Sequence, residues 1–458
     1  MSAITYAMIA WPFLAALLLG VAVPLLMLAT YRHLGAGLTV IGVAWAAEIL
    51  TMSRPVLYLG IFVHVADLLL VLLALVALAR WVLSPSVPRR YLAWGVVVAV
   101  FFVGLAWGLV QYGRAAGVQA RPDFYAIAAA SYVMSFPLQQ DGWRVIVRLL
   151  WAMAIVTLLV CIYRWIVFYT PIPELLPRRG TYNVDGDIRV VPANAALLLA
   201  QLLMLGLFFG GGREAVLHAA RLAAPVLLAL VLVLQHRSVW LAAIVGALAG
   251  LMLTRAQQAP RWQQALLALS LAVMTLLPLL SSSFLAGQLS SSAQRALSGS
   301  DTVADRFQNW RATPRQWVGD GPVAIAVGRV RGADARRVVA DDDDGGERVI
   351  EYQAHNHYVS TLAQGGVIGL AAYAWLLVAL LRALIRAVRR ADDNARAAAL
   401  WLPLLAMQLA YFVAYGVEFI QYTILGLALA WVAGQRPADT AQEQHRRRAA
   451  WRDDVAWR

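Results

Sequence analysis

Two histidines one residue apart, His355 and His357 in EYQAHNHYVSTLAQGGVIGL, stand where an external loop turns into a long apolar run. An imidazole that titrates near neutral pH can take the proton of an attacking hydroxyl, so this position suits a general base at a water-accessible interface. The same residues, with Asn356 and Tyr358, also suit a polar cluster that anchors a membrane span. Arg306, Trp310 and Arg311 in DRFQNWRATPRQW fall at helical spacing, and Phe307, Trp310 and Trp317 form an interfacial face that Pro314 is expected to interrupt. A helix resting on lipid headgroups explains Arg311 and Arg315 by itself. Arg237 in QHRSVW sits between two apolar runs with only a few residues for a turn, which puts its guanidinium at or just inside the outer interface. It either snorkels to headgroups or clamps phosphate oxygens with its fork of donors, which makes it a candidate clamp for a lipid pyrophosphate.

Other residues carry weaker signals. The histidine pair and the run Asp341 to Asp344 offer donors for a divalent metal, but their spacing reproduces no defined metal loop, and an acidic run is ordinarily solvated. No metal or cofactor is therefore expected. Gly210 to Gly212 lacks the strand and lysine of a phosphate loop and reads as a turn. Glu418 suits a headgroup-level side chain or a buried ligand contact. Cys161 is the only cysteine, so the chain forms no internal disulfide.

The elements that must hold these residues are membrane spans. Of 458 residues 61% are hydrophobic and 14% charged, outside the soluble range of roughly 45–50% and 25%. The apolar residues come in blocks close to the roughly 20 residues a bilayer helix needs: 7–29, 35–51, 57–79, 92–113, 144–168, 191–209, 219–235, 238–254, 262–281, 360–383, 397–415 and 417–434. An all-α bundle of twelve spans is expected, with 123–138 as a thirteenth crossing or a re-entrant helix. The first run is too long for a signal-peptide core and is expected to remain a span. The domains read as a bundle over 1–281, one large external loop with short helices over 282–359, three spans over 360–434 and a basic tail over 435–458. The +13 charge lies in segments flanking spans, which makes it a topology signal and not a nucleic-acid footprint. Arg382 to Arg396 and the tail then read as cytoplasmic, as do Arg80, Arg89 and Arg90, and Arg144 falls at the inner end of its span.

Three of these segments, in order, resemble the O-antigen ligase and polymerase superfamily of bacterial membrane glycosyltransferases. QHRSVWLAA at 235–243 is similar to its Arg-containing hairpin, DRFQNWR at 305–311 to its Arg-x-x-x-Trp segment, and AHNHYVSTLAQGGVIGL at 354–370 to its His-Asn signature with Gly-x-x-Gly. GTYNVDGDIRVVPANAA at 180–196 resembles the loop before the next span, and the likeness extends over about 180–434. The chain departs from the pattern where VAIAV separates Pro322 from Gly328 and at the acidic run.

The resemblance implies transfer of a glycan from undecaprenyl pyrophosphate to a sugar hydroxyl, without a metal, at the periplasmic face of the inner membrane. A polymerase of this kind joins repeat units with a glycan as acceptor, a ligase moves the chain to lipid A core, and some relatives glycosylate protein. His355 is implied as the base, and Arg237 and Arg306 as pyrophosphate contacts, with Arg311, Asn356 and His357 as further substrate contacts. A transporter or flippase for a lipid-linked or anionic solute is the rival reading, with Arg237 lining its path. That rival predicts symmetry between halves and charges at mid-membrane depth, whereas no repeat is obvious and most charged residues cluster near span ends.

Overall fold

The computed structural model describes residues 20–51, 55–58, 62–84, 91–138, 142–170, 172, 190–210, 214–255, 303–332, 336–340, 347–351, 355–389 and 393–435. The expected span 262–281, most of the first span, Asp341 to Asp344 and the basic tail lie outside them. Among the described residues the fold is all-α, apart from two small hairpins. The first half runs α1 (Gly20–Arg32), α2 (Leu34–Thr51), the hairpin β1 (Leu57–Tyr58) with β2 (Phe62–Val63), then α3 (Val65–Leu83), α4 (Leu92–Tyr112), α5 (Arg114–Met134) and α6 (Trp143–Tyr169). It continues through α7 (Ala193–Phe209), α8 (Ala215–Leu222), α9 (Ala224–Val233) and α10 (Arg237–Arg255). After the gap come α11 (Val303–Gly319), α12 (Pro322–Val327), the hairpin β3 (Arg336–Ala340) with β4 (Glu347–Glu351), α13 (His357–Arg389), α14 (Asp393–Tyr411) and α15 (Phe419–Gly434).

Four described helices, α3, α4, α6 and α13, are long and apolar enough to cross a membrane, or five if α8 and α9 form one bent span. Only 22–50% of their apolar windows is buried, so much of their apolar surface faces outward, as lipid-facing helices require. Three other helices form the centre. Every residue of α7 but Phe208 is buried, as are Phe419 to Trp431 of α15 and all of Tyr125 to Met134 in α5 except Ser131. A helix apolar on all sides is stable where other helices surround it. Gln201 of α7 donates to Gln421 of α15 at 3.1 Å, and Gly426 lets α15 approach the Val133 face of α5, where a Cβ would come within 2.5 Å of Val133.

Several expectations change. Within the segment 123–138, residues up to Met134 belong to a 21-residue helix that begins at Arg114, and the helix is buried from Tyr125 onward except at Ser131. The run 219–235 is not one straight helix but α8 and α9, bent by 52° at Ala223, because Pro225 in the first turn of α9 has no N–H to continue the helix before it. Arg80 is not a solvent-facing topology signal. It is buried, donates to the Ser135 hydroxyl and carbonyl at 3.0 Å and to the Tyr31 carbonyl, and lies 3.6 Å from the Phe136 ring centre. Helix ends leave carbonyls unpaired, and a guanidinium satisfies several at once. Arg144 is likewise paired, with Glu214 at 2.7 Å.

The feature that shapes the site lies inside α13. Gly366 has φ +61 and ψ −164, and the helix reverses there. His357 and Tyr373 are sixteen residues apart, which in a straight helix is roughly 24 Å, yet their ring centres are 5.0 Å apart. The expected span 360–383 is therefore two arms of a V, a short arm from His357 to Gly365 and a long arm from Val367 onward. A Cβ on Gly366 would meet the Ala326 carbonyl oxygen at 2.3 Å, and one on Gly328 would meet the Gln364 carbonyl at 2.2 Å. Backbone packs on backbone at this apex, and the Arg329 N–H donates to the Ala363 carbonyl at 2.7 Å. Gly366→Ala combines a positive φ with that clash, so it should lower stability by about 1–3 kcal/mol or more and separate α12 from the apex. Thermal unfolding of the purified protein measures the first effect, and proteolysis near Gly328 the second.

Candidate functional site

The short arm of the V begins with a cap. Asn356 is buried, and its side-chain oxygen accepts from the Tyr358 and Val359 N–H groups, both at 3.0 Å. It satisfies two amides that the first turn leaves unpaired, so it positions the arm. Just before it, His355 is exposed and held at φ +40, a conformation non-glycine residues rarely adopt. The protein around His355 desolvates it and the Arg306 cation lies near, and both lower its pKa from 6.5. His355 is thus a neutral imidazole with access to solvent, the form that accepts a proton.

Arg306 reaches this point from α11. The helix runs through Pro314, contrary to the expected break, and buries Thr313 and Trp317 on the side that carries Arg306 and Trp310. The Trp317 indole donates to the Ala324 carbonyl at 2.7 Å and ties α11 to α12. The Arg306 guanidinium lies 5.5 Å from the Tyr415 ring centre, and Tyr415 stacks on Tyr411 at 4.6 Å and 11°. Such a platform holds a guanidinium by cation–π attraction while leaving its donors free to turn towards a ligand. Arg311 lies on the opposite, exposed side with Phe307 and Arg315, so the fold does not bring it to Arg306.

Arg237 opens α10 after a three-residue turn in which Gln235 has φ +52 and His236 meets the Val191 carbonyl at 2.9 Å. Gly246 of α10 faces Pro403 and Met407 of α14, and Gly250 faces Phe208, whose neighbour Phe209 accepts from Arg396 at 3.2 Å. The two helices are therefore antiparallel, and Arg237 lies at the Tyr411 end of α14, the same end as Arg306 and His355.

His357 faces the other way, into the V. It is buried, its Nε2 lies 2.7 Å from the Tyr422 hydroxyl, and its backbone N–H donates to Phe412 at 2.9 Å. A cavity beside it is lined by Asp123, Arg331, Ser360, Thr361, Gln364, Tyr373 and Tyr422, together with apolar residues of α4 and α5. Arg331 pairs with Asp123 at 2.5 Å, donates to Gln364 at 3.1 Å and lies 4.6 Å from the Phe101 ring centre. Residue spacing did not single out Asp123, Arg331, Tyr373 or Tyr422, because their meeting requires the reversal at Gly366, nor Tyr415, which meets Arg306 from another segment. The Gly365–Gly366 pair beside the histidines was the one available clue. Among the described residues no three His, Cys, Asp or Glu side chains group as metal ligands.

Residues 202–374 match the family described as O-antigen ligase. Over this segment the chain is similar to that family, which supports a place in the O-antigen ligase and polymerase superfamily. The match covers Arg237, Arg306, both histidines and the reversal, and ends one residue after Tyr373. Helices α5 and α15, which supply Asp123 and Tyr422, lie outside it. No curated protein matches the chain. At this level the chain is a membrane protein of a glycan-transferring ligase or polymerase type, acting on a lipid-linked glycan and an acceptor.

Two outcomes test this geometry. The His355 ring, followed by NMR of histidine-labelled protein, should titrate below pH 6.5; Arg306→Gln removes one of the two causes and should move the midpoint upward. Asp123→Ala leaves Arg331 buried without its counter-charge and should cost about 3–5 kcal/mol, whereas the double change Asp123→Leu with Arg331→Met should recover most of that in thermal unfolding.

Proposed function

We propose that this protein transfers a glycan from undecaprenyl pyrophosphate to a sugar hydroxyl at the periplasmic face of the bacterial inner membrane, in a bundle of about twelve spans, as a polysaccharide polymerase or O-antigen ligase. The observation that carries the reading is Arg306 poised on Tyr415 beside the neutral, exposed His355. An uncharged base next to a fixed cation is what the reaction needs. The acceptor oxygen bonds to the anomeric carbon as the bond from that carbon to the pyrophosphate oxygen breaks. The electron pair leaves with undecaprenyl pyrophosphate, and the acceptor proton passes to the imidazole of His355.

Negative charge grows on the leaving pyrophosphate, and preorganised guanidinium groups stabilise it most where water is scarce. Arg306 is assigned this role, with Arg237 as the second clamp from the same end of the bundle. These two cations supply the charge stabilisation that a divalent metal gives in other phosphate chemistry. Arg311, on the exposed side of α11, is placed to touch the outlying glycan or headgroups. Asn356 acts by holding the arm that carries His355.

Reconstituted protein given an extract of lipid-linked glycans, with and without lipid A core, tests the reading by the size of the products. Longer lipid-linked chains without core identify a polymerase, and core-dependent products a ligase. Arg306→Ala and Arg237→Ala should each lower turnover on the order of 10²-fold, and His355→Ala by about 10²–10⁴-fold, with unfolding temperature unchanged. Full activity of any one variant removes that residue from the mechanism, and protein-dependent movement of lipid-linked glycan without transfer overturns the reading as a whole.

A further inference from the structure

A larger cavity lies at the same end of the bundle as Arg306 and His355. It is lined by Glu48 of α2, His64 before α3, Arg121 and Tyr125 of α5, and Glu418 and Phe419 at the start of α15. Glu418 follows Tyr415, the residue that carries Arg306, by three positions. All of these lining residues lie outside the segment 202–374 that matches the family, so the match assigns them no role.

Asp67 builds one wall of this cavity. It accepts from the Tyr125 hydroxyl at 2.6 Å and from the His64 backbone N–H at 2.7 Å, and it pairs with Arg121 at 3.2 Å. Arg121 also donates to the Phe62 carbonyl at 2.8 Å, and the Tyr125 and Phe419 rings meet edge to face at 6.1 Å. On α15, Glu418 Oε2 accepts from the Asn194 amide at 2.9 Å. The wall is therefore set before a ligand arrives, which lowers the entropy lost on binding. Glu48, His64, Arg121 and Glu418 are all half-buried, so solvent reaches the polar side chains of the lining.

Charge and size decide what fits. The guanidinium in the lining is already compensated by Asp67, while the Glu418 carboxylate is held by an uncharged amide, so an anion meets a carboxylate without a spare cation. Hydroxyl groups suit the same lining, because a carboxylate accepts from more than one of them and such charge-assisted hydrogen bonds are strong. The volume, about 260 Å³, is well above the roughly 150 Å³ that holds a benzene ring, so one six-membered sugar ring with its hydroxyls fits. The Tyr125 and Phe419 rings offer apolar surface to the C–H face of such a ring.

We propose that this cavity is a sugar subsite that takes one uncharged pyranose ring of the glycan and rejects an acidic one, with Glu418 as the residue that discriminates. The inference rests on the transferase reading for the word glycan, but binding of a sugar ring here does not depend on it.

The test uses the full-length protein in lipid nanodiscs and, as probes, methyl glucoside, methyl galactoside and methyl glucuronide, titrated by saturation-transfer NMR. At least one neutral glycoside should bind the wild type about tenfold or more tightly than the glucuronide. Glu418→Gln removes the charge and keeps both the shape and an acceptor for Asn194. It should weaken the neutral glycoside about three- to tenfold and bring the glucuronide to within about threefold of it. Val417→Trp, on the same lining, fills the cavity without changing its charge and should abolish binding of the neutral glycoside; both variants should keep the melting temperature. In transfer assays Glu418→Gln should raise the KM for donor or for acceptor, and the one that rises identifies which glycan occupies the subsite. No neutral glycoside binding, a glucuronide bound as tightly as the neutral probes, binding unmoved in both variants, or neither KM raised overturns the inference even if transfer is intact. Absence of transfer by the wild type would instead sink the transferase reading, and the glycoside titrations would then decide the cavity alone.

Discussion

At the apex of α13 the chain reverses while its backbone touches the backbone of the segment after α12. Gly366 and Gly328 face one another's neighbours at separations where a Cβ on either would fall within 2.3 Å of a carbonyl oxygen. Nearly everything distinctive about the site follows from this contact. The reversal brings His357 to Tyr373 and leaves His355 at the mouth of the V. It also seats α12, and α12 holds α11 through Trp317, so Arg306 reaches Tyr415. A contact between two backbones cannot be adjusted by a rotamer change, which makes it a rigid reference for side chains that come from distant parts of the sequence.

Buried arginines serve a second structural purpose. Arg80 and Arg164 donate mainly to backbone carbonyls, Arg164 reaching Ile49 at 2.8 Å and also Val190. Arg331 pairs with Asp123 instead. In an apolar bundle an unsatisfied carbonyl at a helix end or break is costly, and one guanidinium with five donors can close several such gaps. The positive charge of this chain is therefore partly internal fastening, which weakens any reading of topology that treats every arginine as a surface mark.

The helices also divide by environment. Those with the strongest span character keep much of their surface outward, while α7 and α15 are surrounded by protein and carry the polar contacts Gln201 to Gln421 and Asn194 to Glu418. A polar pair between central helices fixes their register, because apolar packing alone tolerates sliding. The site lies between these layers, bounded by α4 and α5 on one side and by α15 on the other.

Hydrophobic blocks and their lengths determined the membrane class and the all-α fold, because a bilayer accepts only chains whose backbone groups bond within helices. Local spacing also marked Arg237, Arg306, His355 and His357 as residues of interest, since each stands at the edge of an apolar run. Their grouping was decided by tertiary structure. Helical periodicity extrapolates a helix straight through Gly366, and nothing in a period of 3.6 residues reports a reversal that depends on a backbone from another segment. For the same reason spacing did not report that Asn356 caps the short arm, that Arg311 lies on the face opposite Arg306, or that Arg80 is buried as a core fastening. Residue type and spacing fix which groups a segment can present; which of them face each other depends on contacts between segments far apart in the chain.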